Sequence, residues 1–115
     1  MSSNIDLAAV VFEIGPLQVI NCQDRRTRQK RNITLIDESH RQISLGLWPE
    51  YTDALNDFEG RGVILQNLQL REYQGKLLLS TTINTIVTTD PGNDTIALLN
   101  EWFLNDGFNH AYEEL

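Results

Sequence analysis

Apolar and polar residues alternate along much of this chain, and that two-residue period predicts strands over most of its first eighty positions. Residues 7 to 20, "LAAVVFEIGPLQVI", are rich in β-formers and interrupted at Gly15-Pro16, which predicts one long strand that bends or bulges there. In "RNITLID", 31 to 37, Ile33 and Leu35 share a side, and "SHR" at 39 to 41 supplies a tight polar turn. In "RQISLGLW", 41 to 48, Ile43, Leu45 and Leu47 share one face, so Trp48 falls with Gln42, Ser44 and Gly46 on the other. An aromatic ring is therefore expected on the polar side of this strand.

The period then changes. Pro49 stands at a helix-opening position, and Tyr51, Leu55 and Phe58 recur at i, i+4 and i+7 before Gly60, which predicts a short amphipathic helix. A fourth strand is expected from about Gly62 to Tyr73, with Leu68 and Leu70 on one face and Gln69, Arg71 and Tyr73 on the other. Gln74-Gly75 signals a turn, and "KLLLSTTI" reads as a fifth strand whose leucine run assigns no face. Pro91-Gly92, a cap at Asp94, and Ile96, Leu99 and Phe103 on one stripe predict a terminal helix. Trp102, Phe103 and Phe108 are read as packing residues of that helix and the tail.

Five strands with a helix between the third and fourth is the order of the OB-fold, a five-stranded Greek-key β-barrel that binds oligonucleotides across strands two and three and two flanking loops. The chain has 115 residues, 41% of them hydrophobic, which suits one such domain, expected over 5–104, followed by an acidic C-terminal tail at 105–115. No apolar run approaches the ~20 residues of a membrane span, and "MSSNIDLAAVV" lacks the layout of a signal peptide, so an intracellular protein without a membrane partner is expected.

Charge sharpens this picture. The net charge is −7, yet five of nine bases, Arg25, Arg26, Arg28, Lys30 and Arg31, fall within seven positions. Residues 90 to 115 hold six acids and no Lys or Arg. A phosphate experiences the local field rather than the sum, so the segregation points to a phosphate-contacting loop between strands one and two. The plainer readings of the cluster are a solvated loop or a nuclear-import signal. Cys22 is the only cysteine, and His40 and His110 are the only histidines. No intramolecular disulfide, metal site or cofactor is expected, and no phosphate-loop, dinucleotide-binding or nucleophile motif suggests an enzyme.

The runs "KRNITLIDESHRQISLGLWPE" and "LREYQGKLLLSTT", with the late "EWF", resemble the second of the central OB domains in the large subunit of replication protein A, the eukaryotic single-stranded-DNA-binding complex. The likeness runs from about Ile5 to Leu104. Its most specific piece is Leu-Trp-Pro-Glu at 47 to 50, where that family usually has glycine in place of Pro49. The resemblance implies that Trp48 and Tyr73 stack on bases, Tyr73 standing where phenylalanine is usual. Arg41, Arg71, Lys76 and the cluster Arg25, Arg26, Arg28, Lys30 and Arg31 would contact phosphates or base edges. It also implies a nuclear module of a multi-OB chain acting in DNA replication and repair, or in telomere maintenance as a telomerase-associated paralogue. Neighbouring OB domains and other subunits of a replication protein A-like or telomerase complex would be its partners. The competing class is an OB scaffold that joins subunits without binding nucleic acid, and the −7 charge favours it.

Overall fold

A computed structural model of the protein describes residues 2–21, 26–39, 41–105 and 113–114, apart from the side chains of Ser2, Tyr73, Glu113 and Glu114. Cys22, Arg25, His40, Phe108 and His110 lie outside the described residues. The strands are β1 (Ser2–Asn21), β2 (Thr27–Ile36), β3 (Arg41–Leu47), β4 (Gly62–Tyr73), β5 (Lys76–Ser80), β6 (Ile86–Thr88) and β7 (Glu113–Glu114), with one α-helix, α1 (Asp94–Asn105). The sheet runs β1-β2-β3-β5-β4, and β4 returns to pair with β1, so five strands close into a ring. The β3–β5 pairing is parallel and the others in the ring are antiparallel, as a Greek-key OB barrel requires. Closure removes the open edges that a flat sheet of this size would expose.

One strand serves two sides of the ring because it bends. β1 pairs β4 through its first half and β2 through its second, with register shifts between Val11 and Glu13 and between Ile14 and Leu17. The second shift falls on Gly15-Pro16, as the dipeptide predicts. There the chain runs so close to β2 that a Cβ on Gly15 would stand 2.7 Å from the Asn32 carbonyl oxygen. A matching irregularity occurs in β4, where Asn67 takes φ 62° and its N–H donates to Asp6 Oδ1 at 3.0 Å. This left-handed residue resets the two-residue alternation, so Leu65 and Leu68 both point into the barrel.

The barrel interior is filled by Ala9, Val11, Ile33, Leu35, Leu45, Leu47, Leu55, Val63, Leu65, Leu68 and Leu79. Ile33 with Leu35, and Leu45 with Leu47, share the faces the alternation predicts. Val10 and Ile36 point out of the barrel and are covered by α1 through Leu99, with Phe12, Trp102 and Phe103 packed around them. Burial on both faces explains why β1 reads as a nearly continuous apolar run. No helix among the described residues is long and apolar enough to cross a membrane.

Three local expectations change. The helix between strands three and four is a 3-10 turn at Pro49–Tyr51 followed by further turns, with backbone bonds to the residue three back at Tyr51, Ala54, Asn56 and Phe58. Asp53 and Asn56 bond to each other in this stretch, side chain to side chain, and short polar side chains of this kind favour turns over a regular α-helix. Leu55 is nevertheless buried and Phe58 packs beside it, so the predicted apolar side survives as a plug under the barrel. The α1 cap is Asn93, one residue before Asp94: its Oδ1 accepts from the N–H groups of Thr95 at 2.9 Å and Ile96 at 3.2 Å. β6, which the sequence reading lacks, pairs with β4 beyond the ring.

Helix α1 is seated on a glycine. A Cβ on Gly62 would lie 2.8 Å from Leu99 Cβ and 3.1 Å from the Ile96 carbonyl oxygen, and the Gly62 N–H donates to Asn100 Oδ1 at 2.6 Å. Gly62→Ala is therefore expected to push the helix outward and cost about 1–3 kcal/mol of stability, read as a lower urea midpoint.

Candidate nucleic-acid interface

The outer face of β2, β3, β5 and β4 forms an open groove of about 610 Å³. Strand registers order its floor. Asn32 pairs Gly46, Gly46 pairs Ser80 and Ser80 pairs Gln69, giving one polar row across four strands. Arg71 and Leu78 pair beside it, with Ser44 also lining the groove, and Tyr73 pairs Lys76 one step further along. At the other end stands Trp48, which follows the last residue of β3 in extended conformation. The side predicted for Trp48 from alternation is the groove side.

Trp48 is held from two directions. Its backbone N–H donates to Thr81 Oγ1 at 3.0 Å, and the Thr81 N–H donates in turn to the Gly46 carbonyl at 3.0 Å. Across the sheet Lys30 places Nζ 4.9 Å from the centre of the indole, within the range of a cation–π contact. Gly46 makes this possible, since a Cβ there would stand 2.8 Å from Lys30 Cε. The ring is thus partly buried, positioned by a backbone bond and accompanied by a mobile-stemmed cation. An indole so held offers a π-face to any planar base, and the adjoining ammonium offers charge to a phosphate.

The basic cluster divides. Residues 27–31 belong to β2 and pair with 17–21 of β1, so the cluster lies largely on a β-hairpin arm and not in the loop expected between strands one and two. Strand alternation then sends its members to different places. Arg28 and Lys30 line the groove. Arg31 points the other way: Nε donates to the Thr52 carbonyl at 2.8 Å, Nη1 donates to the Gly15 carbonyl at 2.8 Å, and Nη2 lies 3.5 Å from Asp53 Oδ1. Its guanidinium, with a side chain only 15% exposed, ties the β1 bulge to the turns beneath the barrel. Arg26 is exposed just before β2, and Arg25 lies outside the described residues.

Among the other expected contacts, Arg71 lines the groove. Lys76 is exposed at the β4–β5 turn, where Gln74 and Gly75 both have positive φ, as a two-residue hairpin turn requires. Arg41 is exposed at the start of β3 and does not line the groove. Its backbone pairs with Glu113, which joins β3 as part of β7. Tyr73 is the last residue of β4, as the sequence predicts, and its side chain lies outside the described residues. Sequence reading missed the uncharged floor, Asn32, Ser44, Gln69 and Ser80, together with the rim at Thr81, Thr82 and Ile83. Face parity would have found Asn32, Ser44 and Gln69, but not Ser80, whose strand offers no clear apolar face. Among the described residues no group of three or more His, Cys, Asp or Glu side chains gathers as metal ligands would.

Comparisons with known proteins agree with this architecture. The family model described as "Replication protein A OB domain" matches residues 1–90. The chain is 31% identical over 107 residues to the replication protein A 70 kDa DNA-binding subunit of Drosophila melanogaster, covering 90% of this chain and 17% of that protein. It is 25% identical over 109 residues to replication factor A protein 1 of Saccharomyces cerevisiae, covering 95% of this chain and again 17% of the relative. It therefore spans about a sixth of these curated relatives. Among solved structures, a replication protein A heterotrimer bound to single-stranded DNA superposes with a TM-score of 0.87 at 21% identity, over 98% of this chain and 27% of that one. A complex of the telomere-protection protein Pot1 with single-stranded DNA superposes at 0.60 and 14% identity, over 91% and 78% of the two chains.

Proposed function

This chain belongs to the family of replication protein A OB domains, and from that membership we propose that it is a single-stranded-DNA-binding module of a longer, replication protein A-like large subunit. The observation that carries the proposal is Trp48, an aromatic platform fixed on the groove face with Lys30 over its ring and Arg28 and Arg71 in the same groove. Bases stack on Trp48, and by family resemblance on Tyr73, while the cations meet phosphates. Polar groups on the floor accept or donate along base edges without the paired geometry of stringent readout. Neighbouring OB domains of the same chain and other subunits would raise affinity through effective concentration. The setting is nuclear DNA replication and repair, with telomere maintenance as the alternative that the family resemblance allows.

The test is fluorescence anisotropy of a labelled oligodeoxythymidylate against a duplex of equal length, across a range of salt. Saturable binding to the single strand with weaker binding to the duplex supports the proposal. Three groove cations neutralising three phosphates give a slope of log affinity on log salt of about −2, and Arg28→Gln or Arg71→Gln should each reduce its magnitude by about 0.7. The net charge of −7 favours a subunit-joining scaffold instead, and absence of binding at low salt would select that reading.

A further inference from the structure

The loop after β5 holds an isoleucine out in water. Ile83 is 83% exposed, more than any other large hydrophobic side chain among the described residues, and it stands on the rim of the groove. Its neighbours are anything but loose. The Thr82 N–H donates to Thr85 Oγ1 at 2.8 Å, and the Asn84 N–H donates to Thr82 Oγ1 at 3.1 Å. The hydroxyls of Thr82 and Thr85 both donate to the carbonyl of the left-handed Asn67, at 3.2 and 3.0 Å, and Asn67 Nδ2 donates back to the Asn84 carbonyl at 3.2 Å. Tyr51 closes the base of the loop, its hydroxyl donating to the Thr85 carbonyl at 2.8 Å. At the other end Thr81 is the residue whose hydroxyl fixes the Trp48 backbone.

These bonds order the loop at entropic cost, and what the ordered loop presents beside the platform is an apolar branched side chain that nothing among the described residues buries. A side chain of that kind is suited to lie against the face of an unstacked base, as apolar wedges do in other nucleic-acid complexes. Resting on the single-strand reading above, we infer that Ile83 packs on the face of the nucleobase next to the one on Trp48, making an apolar shelf that extends the stacking site past the end of β3. The contact is to a base and not to a phosphate, so it contributes affinity without salt dependence.

Ile83→Ser and Ile83→Leu separate this role from a structural one. With an oligodeoxythymidylate of about 12 nucleotides, the serine variant is expected to bind roughly five- to tenfold more weakly, with an unchanged salt slope, while the leucine variant binds as the parent does. Thermal midpoints of both should match the parent, because the side chain is already in water. A single abasic position walked along the oligonucleotide should find one site where the parent loses affinity and the serine variant does not, since the two changes remove the same contact. If the parent binds and the serine variant matches it at every abasic position, the inference is overturned and the single-strand reading stands. If the parent itself fails to bind, both fall.

Discussion

Trp48→Ala is expected to weaken binding to single-stranded DNA by about 10- to 100-fold while leaving the fold nearly as stable as before. The binding loss follows from stacking, worth about 1–3 kcal/mol per base on an aromatic platform, at about 1.4 kcal/mol per factor of ten. Stability is spared because the bond that anchors this residue is made by its backbone N–H to Thr81, which alanine retains, and because the indole belongs to neither core cluster. What the folded state loses is the contact with Lys30, about 0.5–1 kcal/mol for an accessible cation–π pair. Trp48→Phe should keep part of the affinity, since the requirement is a flat π-face rather than an indole. Anisotropy titrations and urea melts on the same preparations give both numbers. Equal affinity for the parent and the alanine variant would place the binding surface elsewhere.

Arg31→Ala is expected to do the reverse, lowering stability by about 2–3 kcal/mol with little effect on affinity. Two hydrogen bonds from a charged donor are lost, and the carbonyls of Thr52 and Gly15 are left without these partners in a part-buried setting. The ion pair with Asp53 adds little, because that carboxylate is 79% exposed. Arg28→Ala, three positions earlier on the same strand, should leave the melting curve unchanged and weaken binding, because Arg28 lines the groove and is exposed. Two arginines of one cluster thus report separately on fold and ligand.

That division shows where sequence reading succeeds and where it stops. The cluster was visible as a count of charges, but what separates Arg28 and Lys30 from Arg31 is strand parity, which applies only once residues 27–31 are known to lie in β2. Polar residues carried that stretch past the expected start of the strand, and the pairing partner that extends it, the end of β1, is non-local. The same parity did place Trp48, because Ile43, Leu45 and Leu47 gave a clear apolar face to set it against. The leucine run of β5 assigned no face; in the barrel Leu79 is buried against the core while Leu78 is exposed, a split fixed by the register of the parallel pairing with β3. β6 is three residues long, too short for a period to register. The rim loop was misread, for Thr81, Thr82 and Ile83 continue the β-rich run and were expected to extend the fifth strand, whereas β5 ends at Ser80 and the loop takes its shape from Asn67, which at φ 62° presents its carbonyl to two hydroxyls.

The most direct test uses the indole itself as the probe. Trp102 is the chain's other tryptophan and belongs to the cluster beneath α1, so Trp102→Phe leaves Trp48 as the sole tryptophan, excited selectively at wavelengths where tyrosine does not absorb. Titrating that variant with unlabelled oligodeoxythymidylate should quench the emission saturably, because a base stacked on the ring provides a deactivation path, and the midpoint should agree with anisotropy. Oligonucleotide binding that leaves Trp48 emission unchanged would contradict the account, because no base would then be resting on the platform.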